Sequence, residues 1–363
     1  MVGNGYLLYD DSVEQIPPEE KQTIQAILDS IGRTNLSSFK KHHHGIRQQH
    51  AKAQGFLKGE LTVYGDLPKH LQQGMFAAPR SYPIIVRLST ALGDIRGDRI
   101  RVPRGMAIKV LGVDGLKALP EDTSANQDFL LVNHKTYFSN AAAYFWLQRS
   151  FELQPFLPDI LLRGAGLAAR GFKRLCDAIG IATPMAFQGI AEAGNSLLGD
   201  TFHSEAAIRF GAYIARIRAV PLSEPLRQLT GTPAHSDDNV LLNSVVAFFR
   251  NNDAEYELQA QLCTDLRRMP VEDASIEWPE DISPPRPVAR ISLPRQEADS
   301  PERRAYSDDV LSFNPWHCLA AHRPLGSIMR LRKEAYRLSS TFRHEKNDKT
   351  PMIEPKDISE YPD

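Results

Sequence analysis

Two residues four positions apart on a predicted helix form the clearest chemical pair in the sequence. Arg332 and Tyr336 lie in the segment GSIMRLRKEAYRL, which begins just after Pro324, and this spacing places both side chains on one helix face. A guanidinium beside a phenol oxygen favours the ionised phenolate, and a phenolate is an anionic oxygen ligand for iron. The alternative is an arginine packed over an exposed tyrosine ring, and an isolated pair of this kind favours that ordinary interpretation.

Further polar residues lie in or beside segments that are typical of strands. His50 precedes a strand in RQQHAKAQGFLKGELTV, although a lone histidine is more often structural than catalytic. Arg87 and Ser89 in VRLST are two apart, so both point to the same face of a strand. A charge facing the interior needs a partner, which could be a ligand carboxylate or an ordinary Asp or Glu. Asn133 closes DFLLVN, where a turn residue is unremarkable.

The elements that would position these residues change in type along the chain. Residues 18–32 are typical of an amphipathic helix, and the histidine run 42–44 after it is interpreted as a polar turn, with a metal site as the less favoured alternative. Short β-rich segments then recur between residues 55 and 132, which predicts an antiparallel barrel or sandwich. Helical patterns follow at residues 139–200, at residues 237–252 and after Pro324. Strands first and helices later predict an α+β fold.

Three segments in the second half of the chain are expected to be extended. TFHSEAAIRFGAYIARIRAVP and YELQAQLCTDL are each compatible with a further long strand, and the proline-rich WPEDISPPRPVARISLPRQ is expected to be an extended crossing segment. We predict an N-terminal helix or arm at residues 1–35, a main domain at 36–345 with a helical insertion at 139–200, and a C-terminal tail at 346–363.

The composition narrows the class of protein. The 363 residues are 42% hydrophobic and 24% charged, which is ordinary for a soluble globular chain. A formal net charge of −1 gives no indication of nucleic-acid binding. The three cysteines form no CxxC pair, and the sequence contains neither a secretory signal pattern nor an apolar stretch of membrane-spanning length. We therefore expect a cytoplasmic protein with no transmembrane segment.

Five segments, in this order, resemble the haem catalase superfamily and in particular its small catalase-related members. RQQHAKAQG is similar to the family's distal-histidine segment, R-x-x-H-A-K-x-x-G, and VRLST to its VRFST. RVPRGMAIKVLGVDG resembles the D-x-R-G-F-A-x-K-F strand and turn, and DFLLVNHKTYF the distal-asparagine segment in an NH-type variant. RLRKEAY is similar to the proximal R-L-F-x-Y motif and keeps its Arg-to-Tyr spacing. The resemblance runs from about residue 45 to residue 343 and implies a catalase-like antiparallel β-barrel enclosing haem, with flanking and inserted helices.

The resemblance also implies how haem b would be held. Tyr336 would be the metal ligand, and Arg332 would keep its oxygen ionised. Arg47, Arg87 and Arg343 match arginines that neutralise the haem propionates. YRLSSTFR, which ends at Arg343, departs from the family's Pro-Asp-Thr-x-x-x-R pattern while keeping the spacing.

On the other side of the haem, the resemblance implies three catalytic residues. His50 would be the acid–base group, and Ser89 would fix its tautomer through the other ring nitrogen. Asn133 would orient bound peroxide. Three departures from the family are visible: the chain is expected to lack most of the N-terminal arm and the C-terminal helical domain of full catalases, polar Gln49 stands before His50, and His134-Lys135-Thr136 replaces the usual Asn-Thr-Pro. The polar entrance and the missing arm predict a more open pocket.

We therefore expect a haem hydroperoxidase of the oxidative stress response, acting on hydrogen peroxide or on organic and lipid hydroperoxides as a catalase or peroxidase. One alternative is an allene-oxide-synthase-like lyase or isomerase of fatty-acid hydroperoxides, because the haem ligands alone do not fix the reaction. Another is a non-enzymatic haem-binding barrel, against which the retained His50, Ser89 and Asn133 argue. A homo-oligomer is a further expectation. The apolar insertion 139–200 is interpreted as helices packed on the barrel, with a membrane-surface patch as the alternative.

Overall fold

The computed structural model describes residues 2–3, 5–181, 183, 185–234, 237–349, 352 and 354–363. Its helices are α1 (Glu20–His42), α2 (Ala141–Phe151), α3 (Asp159–Ala178), α4 (Met185–Gln188), α5 (Glu224–Arg227), α6 (Val240–Phe249), α7 (Pro301–Ala305) and α8 (Ser327–Lys346). Its strands are β1 (Val2–Gly3), β2 (Tyr6–Leu7), β3 (Ala53–Val63), β4 (Ser81–Thr90), β5 (Arg104–Leu111), β6 (Asn126–Val132), β7 (Phe202–His203), β8 (Ile208–Phe210), β9 (Tyr213–Pro221), β10 (Ala254–Leu262) and β11 (Arg286–Leu293).

Eight antiparallel strands close into a barrel. They follow the order β10-β11-β3-β4-β5-β6-β7-β9, and pairing of β9 with β10 closes the ring. Strand β8 pairs with β9 outside this ring, and β1 and β2 form a separate two-stranded sheet. Apolar side chains from alternate strand positions fill the barrel, as Ile84, Val86 and Leu88 of β4 illustrate. The predicted α+β class and antiparallel barrel are confirmed.

The proline-rich segment after β10 differs from its prediction. It was expected to be extended and crossing, but residues 286–293 form β11, which pairs with both β10 and β3. Pro287 has no N–H to donate, and the register shifts beside it, between Leu258 and Gln259 of β10. A proline is tolerated in a strand at such an irregularity. The two other segments left open by the sequence contain β9 and β10.

Helix α1 is longer than predicted and ends within the histidine run. It extends to His42, and His43 terminates it in the left-handed conformation (φ 51°). His42 and His44 then contact different carboxylates, Asp94 and Asp309, each at 2.6 Å. The predicted boundary at residue 35 falls inside α1.

The predicted helical insertion contains α2, α3 and α4, and its residues 182 and 184 lie outside the described part of the chain. The predicted helices near residue 240 and after Pro324 are α6 and α8. No helix among the described residues combines the length and apolar character needed to cross a bilayer.

Candidate functional site: a cavity between the barrel and helices α2 and α8

A cavity of about 280 Å³ lies between one side of the barrel and the surrounding helices. Its walls come from strands β4, β5 and β6 and from helices α1, α2 and α8. Seven of the eight site residues predicted from the sequence line it: Arg47, His50, Arg87, Ser89, Arg332, Tyr336 and Arg343. Residues almost 300 positions apart are therefore brought to one place.

His50 is held against the barrel by two neighbouring strands. Its Nδ1 lies 3.0 Å from Ser89 Oγ, and its carbonyl oxygen accepts a hydrogen bond from Arg87 Nη1 at 2.9 Å. Gly105 of β5 pairs with Ser89, and a Cβ at Gly105 would lie only 2.6 Å from His50 Cε1. The absence of a side chain at Gly105 therefore creates the space for the imidazole.

The cavity keeps His50 neutral. Burial lowers the pKa of His50 to about 3, and the positive charges of Arg87, Arg332 and Arg47 act in the same direction. The ring therefore has an unprotonated nitrogen at neutral pH, which a general base requires. When Nδ1–H donates to Ser89, Nε2 is the accepting nitrogen.

Helix α8 presents one stripe of side chains to the same cavity. Arg332, Tyr336, Ser339 and Arg343 follow at spacings of four, three and four residues, so they share a face, and all four line the cavity. Arg332 Nη2 donates to the Tyr336 hydroxyl oxygen at 3.0 Å. The pair predicted from the sequence is thus formed, with the guanidinium also 5.2 Å from the tyrosine ring centre.

Glu205 extends this pair and was not predicted from the sequence. Its Oε2 accepts a hydrogen bond from Arg332 Nη1 at 3.2 Å, and the residue is only 4% exposed. Burial raises the pKa of Glu205 to about 7, against the opposing influence of Arg332 and His134. The signal in the sequence was weak, because Glu205 lies in a short connection between β7 and β8.

Three buried or half-buried arginines meet at the end of the cavity near residue 311. Arg47 and Arg343 both donate to the carbonyl oxygen of Leu311 at 2.9 Å, and Arg47 and Arg87 both reach Asp308 Oδ1, at 2.8 and 3.2 Å. Burial lowers the pKa of Arg343 to about 10, although Asp308 opposes the shift. Within the described structure, the buried Nε atoms of Arg87 and Arg343 have no hydrogen-bond partner. Positive charge therefore exceeds the negative charge available to balance it.

Asn133, the eighth predicted residue, does not line the cavity. Its Oδ1 accepts from the backbone N–H of Arg104 at 2.8 Å, and its Nδ2 donates to Glu192 at 2.9 Å. The next residue, His134, lines the cavity instead, with Nε2 2.7 Å from Glu192. The pKa of His134 is raised, because Glu192 outweighs the effect of burial.

The chemistry of the cavity lining suits an apolar ligand that carries carboxylates, as haem does. Its apolar lining includes Met106, Leu131 and Leu331, and these residues suit a hydrocarbon ring system. The unpartnered guanidinium nitrogens at one end suit anionic oxygens. The Tyr336 phenol beside Arg332 supplies an oxygen of the type that binds haem iron.

Comparison with known proteins identifies the fold. Neither a scan of protein-family models nor a search of curated proteins finds a match. Solved structures do match: a bacterial catalase (TM-score 0.58, 14% identity, 88% of this chain), a fungal catalase (0.57, 17%, 87%) and catalase A from Saccharomyces cerevisiae (0.57, 18%, 85%). The chain spans only 62–63% of the length of these catalases. The barrel and its flanking helices therefore have a catalase-like fold.

Proposed function

We propose that the protein is a haem-dependent hydroperoxidase. The observation that carries the proposal is that one cavity holds a neutral, Ser89-bound His50 together with an Arg332-bound Tyr336. Haem b would be held with Tyr336 as the iron's ligand, and its propionates would occupy the positively charged end of the cavity. Haem bound there would supply a redox-active iron able to exchange electrons with a peroxide.

The side chains of the cavity would transfer the proton, hold the iron ligand and neutralise the carboxylates. His50 Nε2 accepts the proton of a hydroperoxide and returns it to the departing oxygen, while Ser89 holds the ring orientation. Arg332 stabilises negative charge on the Tyr336 oxygen. Arg47, together with the other two arginines, neutralises carboxylates that would otherwise be buried without a partner.

One observation favours organic hydroperoxides over hydrogen peroxide, either as oxidising substrates or as molecules that the enzyme rearranges. The Asn133 side chain, expected to orient hydrogen peroxide, is bonded to Glu192 and to the backbone of Arg104. The larger side chains of His134, Tyr137 and Tyr144 line the cavity. We therefore keep an allene-oxide-synthase-like lyase or isomerase of fatty-acid hydroperoxides as the second candidate.

The test measures peroxide cleavage by the haem-loaded protein, with oxygen release and donor oxidation recorded separately. His50→Ala should retain haem and lose cleavage of peroxide by about 10²–10⁴-fold, the usual contribution of a positioned acid–base group. His70→Ala is the matched control, since His70 is not among the residues that line the cavity and its ring packs at a tilt against that of Tyr6. Unchanged cleavage in His50→Ala would contradict the proposal. Rearrangement of a fatty-acid hydroperoxide without oxygen release or donor oxidation would favour the second candidate.

A further inference from the structure

Helix α3 presents large apolar side chains to solvent. Ile160, Leu167 and Leu175 are 76%, 65% and 58% exposed, whereas the side that packs on the protein buries the small residues Gly166 and Ala169. Ordinary surface helices have the opposite arrangement, with the apolar stripe facing the core. A continuous exposed apolar face of this kind indicates an interaction surface.

A basic row borders this apolar face. Arg163, Arg170 and Arg174 are separated by seven and four residues, so they lie along one edge of the helix. Burial lowers the pKa of Arg170, and the nearby Arg101 and Arg174 lower it further. The helix carries four basic and two acidic residues, in a chain whose formal net charge is −1. Arg163 also contacts Asp159 and Asp238, at 3.9 and 3.5 Å, so the positive charge beside the exposed apolar surface comes mainly from Arg170 and Arg174.

The helix also lies next to the cavity. Leu162, on its inner side, packs on a cluster that contains Leu92 and Val102, and both of those residues line the cavity. A Cβ at Gly166 would lie 3.3 Å from the carbonyl oxygen of Ile190, another lining residue. The outer apolar face is thus separated from the cavity by about the thickness of one helix.

We propose that α3 docks on the surface of an anionic phospholipid bilayer, so that the cavity takes lipid hydroperoxides as its substrates. A helix with an apolar face and a basic edge binds in the headgroup region through apolar burial and attraction to anionic lipid. A second copy docked through the same face would bring together two surfaces of net positive charge. The choice of substrate rests on the proposed function, whereas the docking does not.

Co-sedimentation of the full chain with vesicles tests the docking. Vesicles of phosphatidylglycerol and phosphatidylcholine in equal parts should sediment the protein, and pure phosphatidylcholine should do so less well. Leu167→Glu combined with Leu175→Glu should weaken binding by about tenfold or more, because two charges would enter the interface. The control is Leu116→Glu, since Leu116 is 83% exposed and lies between β5 and β6.

The basic row is tested by a neutralising change. Arg174→Gln should weaken binding to the same anionic vesicles by about fivefold, and raised salt should weaken binding of the unmodified protein. Arg267→Gln is the control, since the Arg267 side chain is 92% exposed and lies outside α3. Absence of binding to anionic vesicles would overturn the docking. A dimer in sedimentation velocity that the double leucine variant dissociates would assign the face to a second copy instead.

The substrate class needs a separate measurement on haem-loaded protein. The double leucine variant should lose about fivefold or more of its turnover of phospholipid hydroperoxide in vesicles and keep its turnover of hydrogen peroxide. Equal losses of turnover on both substrates would overturn the proposal that the substrate comes from the membrane. No turnover of any hydroperoxide, with vesicle binding intact, would overturn the hydroperoxidase function and support the docking alone.

Discussion

Two residues of the cavity have backbone conformations that non-glycine residues seldom adopt. His50 has a φ of 55° and Glu205 a φ of 62°. Such conformations cost free energy and persist where the surrounding structure enforces them, which is often at functional sites. His50 is the predicted base, and Glu205 accepts a hydrogen bond from Arg332, which also donates to Tyr336.

Glu205 gives the site a measurable pH dependence. Its pKa of about 7 in the folded chain lies above the ordinary value of 4.5, so the folded protein holds a proton that the unfolded chain has released between these pH values. The contribution of Glu205 to the free energy of unfolding therefore falls as pH rises from about 4.5 to about 7. Glu205→Gln cannot titrate and should lose this decline.

Denaturant unfolding of the haem-free protein at pH 5 and pH 8 measures the effect. From pH 5 to pH 8, the free energy of unfolding of Glu205→Gln should rise by about 2–3 kcal/mol relative to that of the unmodified protein. One pKa unit corresponds to about 1.4 kcal/mol. Glu60→Gln, on an exposed position of β3, controls for removal of a carboxylate elsewhere. If the variant and the unmodified protein differ in free energy of unfolding by the same amount at both pH values, Glu205 does not titrate in this range.

At the scale of elements, helix α8 contributes the part of the site that could be predicted most directly. Helical periodicity alone places Arg332, Tyr336 and Arg343 on one face, and the structure has them there. Alternation along β4 likewise placed Arg87 and Ser89 together. Glu205 and Asn133 were not predictable in this way. Each lies at the end of a strand or in a connection, where distant partners fix the side-chain direction.

The short π-helix at residues 306–310 supplies Asp308, the carboxylate shared by Arg47 and Arg87. Asp308→Asn should leave the arginine cluster poorly balanced in the haem-free protein. We expect its thermal midpoint to fall by about 1–2 °C, corresponding to about 1 kcal/mol for a chain of 363 residues. Loading with haem should reduce this loss, because the propionates would replace the missing carboxylate.

Thermal unfolding with and without haem checks this expectation. Asp299→Asn is the control, since Asp299 pairs with Arg304 outside the cavity. An equal loss of thermal midpoint in the haem-free and haem-loaded forms would contradict placement of the propionates at this cluster.

At the scale of the whole molecule, local patterns predicted the strands better than their connections. The segments that became β3 to β6 were visible from their alternation and turn residues, and they pair in sequence order. Closure of the barrel depends on β9, β10 and β11, which pair over long separations. No local pattern specifies such pairing, and the prolines of residues 284–294 concealed a strand within an apparently extended segment.

We propose that this catalase-like barrel binds haem through Tyr336, and the absorption spectrum of the haem-loaded protein tests this ligation most directly. The unmodified chain and a Tyr64→Phe control, altered outside the cavity, should both show a tyrosinate-type ferric spectrum. Tyr336→Phe should lose that spectrum or bind haem much more weakly. An unchanged spectrum in Tyr336→Phe would contradict the assignment of the iron ligand and the account of the site that depends on it.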